Sequence, residues 1–92
     1  MEMKYCLKYH PAVKEDIKKL DKNIQEKIKL NIEQKLLTCP EIYSLPLRHT
    51  LKGYRKLRVG DYRVLFRITG SLVYILAIMH RALIYNRVKR RR

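Results

Sequence analysis

Basic residues alternate with apolar ones along residues 54–69 of the chain. Lys56 and Arg58 are two residues apart, and Arg63 and Arg67 are four residues apart. Because side chains alternate between the two faces of a strand, each of these pairs would share one face. If a tight hairpin joins the two segments, all four cations crowd together, which is unfavourable without an anion. The pattern therefore predicts a binding site for an anionic partner.

Three side chains beyond the predicted central strand extend this chemistry: His80, Arg81 and Tyr85. Arginine offers a planar fork to phosphate oxygens, and tyrosine offers a face on which an unstacked RNA base can lie. Cleaving RNA without a metal requires removal of the 2′-hydroxyl proton, neutralisation of the phosphorane and protonation of the departing 5′-oxygen. The cations meet the second requirement, and His80 could perform either proton step near neutral pH. No carboxylate is placed to act as the base, since Asp61 falls in a predicted turn.

The same residues also have plainer interpretations. On composition alone, a basic sheet surface is more often a binding surface than a catalytic one, and an isolated histidine such as His80 is more often structural. Asp61 most simply caps its turn or pairs with a neighbouring arginine. The run Lys89–Arg92 is most simply a solvated charge run with non-specific affinity for phosphate. The residues by themselves leave RNA binding and RNA cleavage both open.

Length and charge restrict the partners of the chain. Its 92 residues suffice for one small domain, spanning 1–92, and 22 Lys and Arg against 8 Asp and Glu give a net charge of +14. This excess favours nucleic acid as a partner first, an acidic protein second and an anionic membrane surface third. No apolar run resembles a signal peptide or a spanning helix, so we expect a cytoplasmic protein with no membrane partner. Cys6 and Cys39 stand alone, which predicts two buried thiols and implies neither a metal site nor a cofactor.

The first half of the chain has the pattern of a strand followed by a helical hairpin. Residues 3–9 favour a strand, and apolar residues then recur at helical spacing over 13–20. Asp21 is suited to cap a second helix, whose apolar residues step by four. This stripe comprises Ile24, Ile28, Ile32 and Leu36.

The second half has the pattern of an antiparallel meander. Residues 41–51 are predicted to form an irregular connection, after which three strands follow. The predicted strands are 54–59, 62–69 and 72–79. Gly60-Asp61 and Gly70-Ser71 supply two-residue turns between them. The result is an α+β fold, in which the N-terminal strand and the meander form one sheet, the helical hairpin packs on one face, and a short basic segment, 81–92, ends the chain.

The stretch from Leu51 to Phe66, followed by His80-Arg81 and Tyr85, resembles the RelE/ParE toxin superfamily and is most similar to its RelE branch. The resemblance covers nearly the whole chain and is most specific from Leu57 to Phe66. It implies the RelE-like fold and the toxin of a type II toxin–antitoxin pair, a ribosome-dependent endoribonuclease that cuts messenger RNA in the A site by metal-free 2′-hydroxyl attack. It implies as partners the ribosome with its messenger and an acidic, partly disordered antitoxin. Whether toxin–antitoxin units assemble further on operator DNA stays open.

The resemblance also implies roles for individual residues by position. Arg63 matches the arginine that stabilises the transition state, and Arg81 matches the arginine assigned to the phosphate or the leaving group. Tyr85 matches the tyrosine that stacks on or orients the nucleotide. Lys56 and Arg58 match a basic pair on the preceding strand.

Two positions depart from the best-studied relatives. Those relatives carry two alternating lysines on the strand, and Tyr54 stands at the earlier of these two positions. Lys52 lies just outside that strand. His80 stands where those relatives carry another lysine. We therefore expect His80 to be the leading acid or base. The expected catalytic set is Arg63, Arg81, Tyr85, His80 and Lys56. Substrate binding is expected of Lys52, Arg58 and Arg67.

Two alternatives remain open on the sequence. A ParE-like toxin would bind and poison DNA gyrase without catalysing chemistry, and would not need Arg63, Arg81 and Tyr85 to converge. A cleavage-incompetent RNA-binding protein of the same fold is the third hypothesis. The catalytic interpretation requires that Arg63 and Arg81 lie on the same face of the sheet.

Overall fold

The computed structural model describes residues 4–91, which form one five-stranded sheet with helices on both faces. The strands are β1 Cys6–Tyr9, β2 Leu45–Pro46, β3 Arg55–Val59, β4 Tyr62–Thr69 and β5 Leu72–His80. The helices are α1 Val13–Lys18, α2 Lys22–Asn31 and α3 Ile84–Val88, with a π-helical turn at Ile32–Leu36 after α2 and a 3-10 turn at His49–Leu51. The strand order is β1-β5-β4-β3-β2, with β1 parallel to β5 and all other pairs antiparallel.

The helical hairpin forms where the apolar spacing predicts it. Asp21 caps α2, and its Oδ1 accepts a hydrogen bond from the backbone N–H of Asn23 at 2.9 Å. Three members of the predicted stripe are buried against the sheet: Ile28, Ile32 and Leu36. Burial of each of these side chains stabilises the fold by about 1.5–3 kcal/mol.

The face of the sheet covered by α1 and α2, called here the hairpin face, carries the larger apolar core. Its buried sheet residues are Leu57, Val59, Val64, Phe66, Val73, Ile75 and Ile78. The opposite face, called here the basic face, carries the alternate side chains of β3 and β4, among them Lys56, Arg58, Arg63 and Arg67. A smaller apolar cluster forms there, in which Leu65, Ala77 and Met79 pack against Ile84 and Val88 of α3. Helices therefore cover parts of both faces, whereas the sequence predicted them on one.

Tight turns set the register of the meander. Two-residue turns at Gly60-Asp61 and Gly70-Ser71 join the last three strands, as predicted. Both glycines have a φ of 61°, a left-handed conformation that glycine adopts without the steric cost of a Cβ. The first turn places Arg58 directly opposite Arg63.

The segment 41–51 contains a strand that the sequence pattern did not indicate. Leu45–Pro46 pairs with Arg55 and Lys56 at the edge of the sheet. Arg55 fixes this segment, because its Nε donates to Ser44 Oγ at 2.7 Å and its Nη2 donates to the Ser44 carbonyl at 3.1 Å. A two-residue strand that contains proline has no alternation to detect, so the sheet has five strands where four were predicted.

The C-terminal segment is anchored by an ion pair between elements far apart in sequence. Asp16 on α1 is buried, and its Oδ2 accepts a hydrogen bond from the backbone N–H of Ile78 at 3.1 Å, where β1 no longer covers β5. The guanidinium of Arg91 binds both carboxylate oxygens of Asp16. The prediction that the run 89–92 is solvated is therefore wrong for Arg91, and Arg92 lies outside the described residues.

The first strand and the two thiols also differ from the predictions. The strand predicted for 3–9 begins at Cys6, and Met3 lies outside the described residues. Cys6 is exposed and Cys39 is half-buried, so the prediction of two buried thiols is wrong. Cys6 is exposed because β1 is an edge strand. Within residues 4–91, no helix combines the length and apolar character needed to cross a bilayer.

Candidate functional site

Arg63 lies on the basic face and is only 6% exposed. Its Nη1 donates hydrogen bonds to the carbonyl oxygens of Gly60 and Tyr62, at 2.9 and 2.8 Å. These bonds fix the guanidinium at the β3–β4 turn and leave Nε and Nη2 without a partner in the described chain. No fully buried side-chain nitrogen or oxygen of the described residues lacks a partner, so these two groups reach solvent. Arg63 thus presents a fixed pair of N–H donors to an approaching anion.

The cations of β3 lie beside Arg63, as the sequence predicted. Arg58 is exposed and faces Arg63 across the strand pair, and Lys56 is half-buried opposite Leu65. Directly opposed side chains have Cβ atoms about 4.5–5.5 Å apart, so the two arginines repel each other unless an anion lies between them. The register therefore brings two cations together at this end of the sheet.

Arg81 reaches the same turn from the end of β5. Its backbone N–H donates to the carbonyl of Asp61 at 2.8 Å, and its Nε lies 3.7 Å from Asp61 Oδ1. Arg63 binds the carbonyls on either side of Asp61, so the two arginines converge on one turn. Since Arg63 is opposite Met79, alternation puts Arg81 on the basic face as well. The geometric condition for the catalytic interpretation is met.

Tyr85 lies on the same side of the sheet, on α3. It is half-buried and packs against the smaller apolar cluster of the basic face. Ile84 and Val88, which flank it on α3, are fully buried and hold the helix on the sheet. The accessible part of the ring is thereby held in a fixed position on this side of the sheet.

His80 does not lie with these residues, and the expectation that it sits beside the basic cluster is wrong. It pairs with Tyr62, so its side chain is on the hairpin face, where the two rings meet edge to face at 5.5 Å. Its Nδ1 accepts a hydrogen bond from the backbone N–H of Ala82 at 3.1 Å.

A β-bulge in β5 explains why His80 lies on the hairpin face and Arg81 on the basic face. Leu65 pairs with Ala77 while Phe66 pairs with Ile75, so β5 has one extra residue, Leu76. If side chains alternated strictly along β5 from the Gly70-Ser71 turn, His80 would lie on the basic face. The extra residue instead turns its successor Arg81 towards the site, an effect that bulges have near functional sites.

Arg67 and Lys52 lie away from the convergence point. The Cζ of Arg67 is 5.5 Å from the ring centroid of Tyr54, a buried residue, in a cation–π contact. Four residues of strand separate Arg67 from Arg63, a distance of about 13 Å. Lys52 is exposed in the connection before β3, and no side-chain hydrogen bond or ion pair of residues 4–91 joins it to the cluster. Neither residue therefore converges with Arg63 and Arg81.

A larger cleft lies away from these residues. It encloses about 390 Å³ between β1 and α2 and is lined mainly by apolar side chains such as Leu7 and Ile28. Burial beside this cleft, and secondarily the carboxylate of Glu33, raises the pKa of the Tyr9 phenol. None of the predicted site residues lines it. The candidate site is therefore a charged surface around a turn, and not a deep pocket.

Asp61 belongs to this surface, and pairing with an arginine is one of the two interpretations that its sequence position suggested. Its side chain is exposed and is the carboxylate that pairs with Arg81. Turn patterns alone do not identify Arg81 as the partner, because Arg81 follows β5 and lies far along the chain from Asp61. An anion that binds Arg81 must therefore compete with Asp61.

Known toxins of toxin–antitoxin systems resemble this chain in sequence and in fold. The family model described as the ParE toxin of type II toxin–antitoxin systems, parDE, matches residues 7–85. A chain of the toxin–antitoxin complex RelBE2 from Mycobacterium tuberculosis is 30% identical, with a TM-score of 0.80 over 89% of this chain and 97% of that one. A chain of the archaeal RelE–RelB complex from Pyrococcus horikoshii is 25% identical, with a TM-score of 0.66 over 88% and 99% of the two chains.

A third structure supports the fold alone. YafQ from E. coli is 22% identical and has a TM-score of 0.64, over 88% of this chain and 98% of that one. The search of curated protein sequences gave no match.

These findings identify a toxin of a type II toxin–antitoxin system. The chain belongs to the RelE/ParE toxin superfamily, in its RelE-like branch.

Proposed function

We propose that this toxin is a ribosome-dependent endoribonuclease that cuts messenger RNA in the ribosomal A site by metal-free attack of a 2′-hydroxyl on the adjacent phosphate. The convergence of Arg63 and Arg81 on one turn is the observation that supports this proposal most. Arg58 and Tyr85 lie on the same side of the sheet. A surface that only bound another protein would not require this convergence.

The arginines would stabilise the phosphorane. Negative charge grows on the phosphate oxygens as the 2′-hydroxyl attacks, and donors that are already fixed stabilise that charge without reorganisation. Arg63 is fixed by its two bonds to the turn. Arg58 and Arg81 are exposed and would bind the remaining phosphate oxygens and the leaving 5′-oxygen. Tyr85 would stack on the base and so orient the sugar for in-line attack.

The proton steps are proposed for Lys56. Arginine does not lose its proton in proteins, and His80 lies on the hairpin face. Lys56 is the lysine that the alternation of β3 and β4 places on the basic face, next to Arg58.

We predict that Lys56→Ala lowers the rate constant for cleavage by about 10²–10⁴, the usual contribution of general acid–base catalysis. His80→Ala should stay close to the wild-type rate, because the imidazole faces away from the basic face. Single-turnover cleavage of ribosome-bound messenger measures both effects, with Lys29→Ala on α2 as the matched control. A large loss in His80→Ala with little loss in Lys56→Ala would reverse the assignment.

We predict that Asp61→Asn strengthens RNA binding, because the carboxylate competes with phosphate for Arg81. Exposed ion pairs contribute about 0.2–1 kcal/mol, so the Kd for a short single-stranded RNA should fall roughly 1.5- to 5-fold. Fluorescence anisotropy at two salt concentrations measures this change. Glu15→Gln is the control, since it removes an equally exposed carboxylate paired with Lys18 on the hairpin side. Weaker RNA binding by Asp61→Asn would show that Asp61 assists the substrate.

The charge of the whole chain supports a ribosomal target. A net charge of +14 attracts RNA surfaces, and binding should weaken steeply with salt as counterions are released. The RelBE2 complex reported above is a toxin–antitoxin complex, as its name states. For this toxin we propose an acidic, partly disordered antitoxin, with operator DNA as a further site of assembly.

Induction of the toxin in cells tests the proposed function. Primer extension on a translated and an untranslated copy of one message should show cuts in the translated copy alone. A second function, binding and poisoning DNA gyrase without chemistry, is favoured by the match to the ParE toxin family model. It predicts intact messages and gyrase-dependent DNA breaks in the same cells.

A further inference from the structure

The bulge in β5 leaves backbone groups of that strand without a strand partner. Leu76 pairs with no residue of β4, and β1 pairs with β5 only as far as Ile75. Leu76 is buried, so its carbonyl oxygen is also withdrawn from water. A buried backbone group without a hydrogen bond costs free energy, so the bulge persists only if other residues supply the missing bonds.

The ion pair between Asp16 and Arg91 supplies these bonds. Nη1 of Arg91 donates to the Leu76 carbonyl at 3.3 Å, and Oδ2 of Asp16 accepts from the Ile78 N–H at 3.1 Å. The guanidinium also binds both oxygens of the carboxylate, so the two side chains act as one unit. This unit, called here the bulge clamp, bonds the backbone of β5 immediately before and immediately after Ala77.

The bulge decides which face of the sheet Arg81 occupies. Met79 lies opposite Arg63 on the basic face, and Arg81 continues this alternation, with its backbone N–H bonded to the Asp61 carbonyl. A slip of one residue in a strand moves every side chain that follows to the other face. A β5 that took up Leu76 as a regular residue would therefore turn Arg81 away from the basic face.

We propose that Asp16 and Arg91 are positioning residues for Arg81: the bulge clamp holds the bulge in place and thereby keeps Arg81 on the basic face. Only the phosphate that Arg81 would then bind depends on the proposed function. Neither residue of the clamp belongs to the predicted site, and Asp16 lies on α1, on the hairpin face. A pair that served only to tie down the C-terminal segment would need no bond to the bulged residue.

The main test variant combines Asp16→Asn with Arg91→Ala. It leaves no unpaired buried charge and keeps an acceptor for the Ile78 N–H, but the Leu76 carbonyl loses its donor. At matched folded fraction, it should cleave ribosome-bound messenger about 10- to 100-fold more slowly, because a displacement of about 1 Å can have an effect of that size. Val13→Ala on the same helix is the control, since this buried side chain is apolar and bonds no backbone group of the bulge. Its rate should be close to that of the wild type.

Arg91→Lys is a second, more conservative variant. An ammonium can pair with Asp16, but it does not offer the planar set of donors that reaches the carboxylate and the Leu76 carbonyl together. Its rate should fall between those of the wild type and the double variant. A wild-type rate in both clamp variants would overturn the proposal.

A double-mutant cycle distinguishes positioning from a general loss of stability. In an Arg81→Ala background, the clamp variant should lose little further rate, because the side chain through which the clamp acts is already absent. Loss by the same factor in the Arg81→Ala background and in the wild-type background would overturn the proposal.

Amide relaxation dispersion of the free protein tests the clamp without RNA. The clamp variant should show microsecond-to-millisecond exchange at residues 76–81, and the wild type and Val13→Ala should not. Quiet amides at 76–81 in the clamp variant would overturn the proposal, whatever its rate of cleavage. Exchange with the predicted pattern, in a protein whose wild type cuts no RNA, would refute the ribonuclease and support the clamp.

Discussion

Arg63→Ala should lower the rate constant of ribosome-dependent cleavage by about 10²–10³, the loss typical when one pre-organised donor to a developing charge is removed. The guanidinium is 6% exposed and is held by the carbonyls of Gly60 and Tyr62, so its remaining N–H groups are fixed before RNA arrives. Arg63→Lys should recover little of the rate, since an ammonium cannot hold the turn and present two donors together. Single-turnover cleavage on programmed ribosomes measures both variants.

A stability control is essential for this prediction, because Arg63 also holds the β3–β4 turn. Arg55→Ala provides it, since Arg55 likewise donates to backbone carbonyls and joins β3 to a loop, but it lies off the basic face. Arg55→Ala should lower the midpoint of urea unfolding and keep the rate of cleavage. If Arg63→Ala loses no more activity than Arg55→Ala at matched folded fraction, then Arg63 acts on the fold alone.

Arg91→Ala should lower the free energy of unfolding by about 3–5 kcal/mol, the usual cost of leaving a buried charge without its partner. The side chains of Asp16 and Arg91 are 3% and 16% exposed, so solvent does little to replace the lost guanidinium. The pair also holds α3 near β5, and α3 carries Tyr85. Urea unfolding followed by circular dichroism measures the loss.

A double variant separates the charge from the packing in this prediction. Asp16→Asn combined with Arg91→Ala removes the orphaned charge and keeps an acceptor for the Ile78 N–H. It should therefore be more stable than Arg91→Ala alone. Arg90→Ala, at an exposed neighbouring position, should be close to the wild type. Equal stabilities of Arg90→Ala and Arg91→Ala would show that the pair does not anchor the segment.

Local patterns predicted much of the fold. The two glycine turns, the three strands of the meander, the Asp21 cap and the stripe ending at Leu36 each depend on residues close in sequence, and each was confirmed. β2 was missed because Leu45–Pro46 is too short to alternate and is held by Arg55, a residue of another strand. The Asp16–Arg91 pair was missed because 75 residues separate its members.

In the candidate site, too, the parts that depend on nearby residues were predictable and the parts that depend on distant residues were not. The β3–β4 turn fixes Arg58 against Arg63, so this part of the site followed from alternation alone. The faces of His80 and Arg81 depend on the bulge at Leu76, which an almost wholly apolar strand does not reveal. The sequence therefore predicted that Arg58 and Arg63 share one face, but it did not predict that His80 lies on the other.

Cleavage of one defined messenger on purified ribosomes tests the proposed function most directly. The reaction compares ribosome-bound with free messenger and identifies the new ends by primer extension and by the chemistry of the 3′ terminus. We predict cuts at the A-site codon in the ribosome-bound sample alone, with 2′,3′-cyclic phosphate ends. Intact messenger in both samples, together with inhibition of supercoiling by purified DNA gyrase, would contradict the ribonuclease and support the gyrase poison.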